Sequence, residues 1–167
     1  MKVFITGAPG CGKTYLINSI ANFLKDNGFS ISGFITEEVR EDSKRVGFKI
    51  KDLSTQREEI FASKVAITPY RFGNYFINLI NLEEIALNAF SGGDVKIIDE
   101  IGKMEFYSEK FRKILFDNMY TNINLVATLH RDFVKDFKDF GQIFFLTQEN
   151  REEIGLKILN LIRGALI

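Results

Sequence analysis

The chain has 167 residues, 46% of them hydrophobic and 26% charged, and its 22 basic and 22 acidic side chains give a formal net charge of zero. That length suffices for one domain with a packed core, residues 1–167, and the charge balance argues against a broad nucleic-acid-binding face, which needs an excess of positive charge. A single cysteine and a single histidine exclude a disulfide framework, a cysteine-rich metal site and a paired-histidine metal centre.

No apolar run approaches the ~20 residues that cross a bilayer. The start lacks the charged-then-apolar pattern of an export signal. A cytoplasmic location is expected, with neither membrane nor nucleic acid as a partner.

Residues 2–6 (KVFIT) form a short apolar, β-branched run that reads as a buried strand. Residues 7–14 (GAPGCGKT) follow at once. From Thr14 onward, Leu16, Ile17, Ile20, Phe23 and Leu24 recur at helical spacing, and Gly28 is placed to end the helix. Residues 30–40 and 44–53 read as strands on either side of a polar break, and 56–63 as a third. Short polar turns between them indicate an antiparallel meander. Residues 68–78 are irregular or strand-like.

Residues 81–90 read as a helix, with Asn81 as N-cap and Glu84 completing a capping box. A glycine turn then leads into a buried strand ending in Asp99 and Glu100. Ser108 caps a helix over 109–120, residues 123–130 form the next buried strand, 132–141 a short helix and 142–147 a strand. The chain closes with a helix over 149–167, with Asn150 and Glu153 as a second capping box. Strands alternating with helices predict an α/β fold, its mainly parallel sheet covered on both faces, with the antiparallel meander at one edge.

The opening strand, loop and helix match the P-loop pattern: two glycines flanking four residues, then Lys and Thr. Gly7, Ala8, Pro9, Gly10, Cys11 and Gly12 let backbone N–H groups turn onto phosphate oxygens, and the helix N-terminus adds partial positive charge. Lys13 can reach the β- and γ-phosphates, and the Thr14 hydroxyl can ligate Mg²⁺. The competing reading is a glycine-rich turn with no ligand.

A P-loop needs a second oxygen donor for the metal. Asp99, at the end of an apolar strand, holds the Walker B position. Glu100 follows immediately, where a carboxylate can orient or deprotonate the attacking water. Acids also end strands with no such role. Gly102, three residues after Asp99, imitates the GTPase switch motif, but no Asn-Lys-x-Asp for guanine is present.

Thr128 closes its strand either as a γ-phosphate sensor or as a turn residue. His130 reads as an exposed turn residue and Cys11 as a tolerated loop position. Arg40, Arg71 and Arg151 are candidates for meeting phosphate or base, with surface ion pairs as the alternative.

GAPGCGKT, GFITEEVR, RVGFKI, RFGNYFIN, DEIGKME and ENR occur in the order found in the thermophilic nucleoside-triphosphatase family, and the chain resembles that family over nearly its whole length. The vertebrate member is the cancer-related nucleoside-triphosphatase. The resemblance implies a RecA-like P-loop fold in three α/β/α layers. It also implies slow Mg²⁺-dependent hydrolysis of several nucleoside triphosphates, ATP and GTP among them, to diphosphate and phosphate. Lys13, Thr14, Asp99 and Glu100 match the family's motif residues one for one. Tyr15 departs from it, standing where the family usually repeats threonine.

Two other readings remain at this level. A small nucleotide or metabolite kinase would share the P-loop, but such kinases usually carry an arginine-rich lid that excludes water; the stretch directly after the meander has only Arg71, and no arginine cluster appears elsewhere. A nucleotide-gated binding module using slow hydrolysis as a timer has the same motifs.

Overall fold

The computed structural model describes residues 1–166. The first strand, β1 (Lys2–Gly7), is buried on both faces, with Val3 and Ile5 in one hydrophobic cluster and Phe4 in the other. Helix α1 (Lys13–Asp26) follows the glycine loop. Then come β2 (Ile31–Glu41), β3 (Lys44–Asp52), β4 (Glu58–Ser63), β5 (Arg71–Phe72) and β6 (Tyr75–Ile77). Helix α2 (Leu79–Ala89), β7 (Val95–Ile101), α3 (Glu109–Met119), β8 (Leu125–Leu129), the short α4 (Val134–Phe137), β9 (Gln142–Leu146) and α5 (Arg151–Leu166) complete the order.

Among the described residues the nine strands share one sheet, in the order β5-β6-β4-β3-β2-β7-β8-β1-β9. From β2 through β7, β8 and β1 to β9 the pairing is parallel. From β2 outward through β3, β4, β6 and β5 it is antiparallel, so the expected meander extends one edge. The irregular or strand-like stretch resolves into the β5–β6 hairpin, with Phe72 opposite Tyr75.

Alternation along the central strands builds two cores. Val3, Ile5, Ile97 and Val126 face α1 and α5, whereas Phe4, Ile98, Leu125 and Ala127 face α2, α3 and α4. Both faces are therefore covered, as a parallel sheet requires, and the molecule is an α/β/α sandwich. No helix among the described residues is long and apolar enough to cross a membrane.

Two expected caps are corrected. Helix α2 begins two residues before Asn81: Asn78, in an extended conformation, accepts from Asn81 N at 3.1 Å. The earlier start takes the buried Leu79 into the helix. The Asn81 side chain instead donates to Ile60 O at 2.7 Å, and Glu84 pairs with Arg57. At α5 the Asn150 side chain turns back, accepting from Thr147 N at 2.8 Å and donating to Phe145 O at 3.0 Å. Glu153 pairs with Lys157 at 2.5 Å instead of closing a capping box. Ser108 caps α3 as expected, accepting from Phe111 N at 3.0 Å.

Candidate functional site

The loop between β1 and α1 turns on Gly10 and Gly12, with φ of 77° and 100°. At Gly12 any side chain would be strained by that φ and would meet the Arg151 guanidinium at 2.8 Å. Lys13 folds back over the loop, its Nζ donating to Gly7 O and Ala8 O at 3.1 Å each. Cys11 points inward and is packed in the core beneath α1 and α5.

Two strands away, β7 carries Asp99 and Glu100. The β7–β8 ladder shifts register between Ile98 and Ile101. Successive residues of a regular strand point to opposite faces, and an irregularity of this kind re-aims them. Asp99 and Glu100 both line one cavity of about 300 Å³ together with Thr14, Thr36 and Glu105. The peptide joining the two acids is cis.

Asp99 is almost fully buried. It accepts a hydrogen bond from the Thr128 hydroxyl, and its backbone carbonyl accepts from Thr36 Oγ1 at 3.0 Å. Burial raises its pKa, against the pull of the Thr128 and Thr14 hydroxyls and the Lys13 charge. Glu100 is also raised, first by burial and then by the Asp99 charge, with Lys13 opposing. Thr128 is wholly buried within β8, so its hydroxyl serves Asp99 and is not a turn residue.

A second, smaller cavity of about 180 Å³ lies against the loop, lined by Gly7, Pro9, Lys13, Glu100, His130 and Arg131 among others. His130 is thus only partly exposed and belongs to the site's wall, a correction to its reading as an exposed turn residue. Its Nδ1 accepts from Asp132 N at 3.2 Å, and burial lowers its pKa. The segments after β7 and β8 are tied together by His130 N donating to Ile101 O at 3.0 Å and by a 2.6 Å Lys103–Asp132 ion pair.

Three side chains at these cavities escape a sequence reading. Arg131 lines the smaller one. Arg45 lines the larger, held by Tyr75 and Glu38. Glu105 is buried in a 3-10 turn (Glu105–Tyr107), and its carboxyl pKa is pushed well above the usual range by burial and by the Glu100 charge. A Cβ on Gly102 would fall 2.6 Å from a carboxylate oxygen of Glu100 and 2.6 Å from one of Glu105. The two acids therefore flank Gly102, and any side chain there would have to displace a carboxylate. The one available signal was an acid inside DEIGKME with no surface reason to be there.

Of the arginines singled out, Arg40 pairs with Glu38, and Arg71 donates to Gly73 O and stacks on Phe76 in the meander. Only Arg151 reaches the loop.

A sheet in which β8 separates the loop-bearing β1 from the acid-bearing β7 puts the chain in the P-loop nucleoside-triphosphatase class with a RecA-like fold. The family model described as NTPase matches residues 2–159. The chain is 44% identical to nucleoside-triphosphatase THEP1 of Methanocaldococcus jannaschii, over 99% of each chain. It is 40% identical to that of Thermotoga maritima, over 98% of this chain and 96% of the relative. The crystal structure of THEP1 from the hyperthermophile Aquifex aeolicus superposes with a TM-score of 0.82 at 37% identity, covering 96% of this chain and 98% of that one. The solution structure of a human cancer-related nucleoside triphosphatase gives a TM-score of 0.81 at 30% identity, covering 99% of each. The chain belongs to the THEP1 nucleoside-triphosphatase family and is a nucleoside-triphosphate hydrolase.

Proposed function

We propose that this enzyme, acting as one domain, hydrolyses Mg²⁺-bound nucleoside triphosphates, ATP and GTP among them, to nucleoside diphosphate and phosphate with slow turnover. The observation that carries the reading is the convergence of Lys13, Thr14, Asp99 and Glu100 on two adjoining cavities at the glycine loop. The backbone of residues 7–14 cradles the phosphates. Lys13 exchanges its two loop carbonyls for β- and γ-phosphate oxygens, a change favoured by charge. Glu100 orients the attacking water and takes its proton; burial beside Asp99 raises its basicity.

Among the described residues no group of three His, Cys, Asp or Glu side chains could hold a metal ion alone. Magnesium needs none, because it usually takes one or two protein oxygens and completes its shell with phosphate and water. The Thr14 hydroxyl and the Asp99 carboxylate fit that role, since the ionised form of a buried carboxylate gains from a cation beside it. When bound, the ion neutralises charge on the β- and γ-phosphate oxygens. Arg131 also lines the smaller cavity, where its guanidinium can meet phosphate charge.

The test is phosphate release from ATP, GTP, CTP and UTP, with Mg²⁺ and after EDTA. Release from more than one triphosphate, abolished by EDTA and restored by Mg²⁺, is expected. Full activity in metal-free buffer would refute the metal assignment.

A further inference from the structure

The residue following Thr14 is Tyr15, an aromatic ring left 64% exposed at the phosphate loop's edge. One side of the ring is occupied by the Arg151 guanidinium, whose central carbon sits 4.6 Å from the ring centroid. Arg151 opens α5 and also lies against Gly12. The stacked pair is therefore continuous with the loop, although its two members are far apart in sequence. Beside it opens a cavity of about 370 Å³, with Leu16, Ile20, Leu156 and Leu159 in its walls.

Direction along the loop decides what this cavity receives. The smaller cavity of Gly7, Pro9, Lys13 and Glu100 takes the terminal phosphate, because the water-directing acid stands there. The Tyr15–Arg151 cavity shares none of those residues and lies beyond Gly12. A triphosphate with its terminal group at Glu100 sends its nucleoside end the other way, towards Tyr15.

We propose that Tyr15 and Arg151 form the stacking platform for the base of the bound nucleotide, an inference that rests on the phosphate-loop reading above. An aromatic ring and a guanidinium plane both stack on π-faces, which every base offers. The exposed ring of Tyr15 presents such a surface above an apolar wall. Ser19 and Glu152 are the other polar residues lining the cavity. Recognition by faces instead of edges makes the enzyme tolerant of purines and pyrimidines alike.

Equilibrium titration with ADP, UDP and inorganic pyrophosphate, in one Mg²⁺ buffer, tests this without requiring hydrolysis. The parent is expected to bind ADP and UDP at least tenfold more tightly than pyrophosphate, a ratio typical of one stacked base. Tyr15→Ala removes most of that advantage for both nucleotides and leaves pyrophosphate affinity unchanged. Tyr15→Phe retains it, and Arg151→Ala reduces it several-fold. Thermal melting confirms that each variant is folded, as the exposure of Tyr15 leads one to expect.

Equal losses for ADP and pyrophosphate would overturn the proposal, because the pair would then be supporting the loop. A loss confined to one base would overturn stacking in favour of edge recognition. A parent that binds pyrophosphate as tightly as ADP, or binds no nucleotide, would also overturn it. A parent that releases no phosphate from any triphosphate yet shows the expected binding pattern would sink the hydrolysis reading and leave the platform standing.

Discussion

The hydroxyl of Thr128 donates a hydrogen bond to the carboxylate of Asp99, across the gap between β8 and β7, with both side chains buried. A bond to a charged acceptor in such a place is worth about 1.5–3 kcal/mol. It also fixes the direction of the carboxylate proposed to hold Mg²⁺. Supporting bonds of this kind typically govern 10–100-fold in metal affinity. Thr128→Val keeps the shape and removes the donor. The Mg²⁺ concentration for half-maximal activity is expected to rise at least tenfold, and Thr128→Ser is expected to restore it. An unchanged Mg²⁺ dependence in Thr128→Val would show that Asp99 needs no such support.

Glu100→Gln separates binding from chemistry. The amide keeps the size of the side chain and removes the carboxylate proposed as base, whose action would be confined to the transition state. Nucleotide affinity is expected to stay within a few-fold of the parent, while single-turnover hydrolysis falls by ~10²–10⁴. A slow parent compresses that ratio towards its lower end. Equal hydrolysis by parent and variant would remove Glu100 from the mechanism.

Glu105 gives the stability of the molecule a specific pH dependence. Its folded-state pKa lies well above the ordinary value of 4.5, chiefly through burial. The folded state therefore holds this proton more tightly than the unfolded chain does. The stabilisation is complete below 4.5 and is lost as pH rises through the folded pKa. Glu105→Gln carries no such proton. Its melting temperature relative to the parent is expected to rise as pH climbs from 5 towards the folded-state pKa and to level off above it, with the variant gaining most at the alkaline end. A difference that does not vary with pH would show that Glu105 titrates normally.

Lys13→Ala removes two hydrogen bonds to the loop carbonyls of Gly7 and Ala8. Both are exposed or half-buried, so the cost to folding is expected to be about 1 kcal/mol or less. Affinity for ATP and turnover should both fall, by tenfold or more, because the charge proposed to meet phosphate is lost. A variant that binds and hydrolyses ATP like the parent would release Lys13 from the site.

Local pattern carried a large part of this molecule. Three glycines and a proline between an apolar run and a helical repeat specify the loop, and alternation places Asp99 and Glu100 at a strand's end, since both are encoded within a few neighbouring residues. Ser108 was legible as a cap for the same reason. Asn81 and Asn150 were not: each has a plausible acid three residues on, but Asn78 caps α2 and the Asn150 side chain is drawn back to Thr147 and Phe145 once the flanking strands are in place. Only the tertiary structure decided that β8 lies between β1 and β7, which hands Thr128 to Asp99. It alone brought His130, Arg131, Arg45 and Glu105 to the cavities and set Arg151 on Tyr15, 4.6 Å from the ring centroid. The periodicity that defines an element says which of its faces is buried. Which residues meet across elements depends on strand order and on how the helices cover the sheet, and those are settled by packing between segments far apart in sequence.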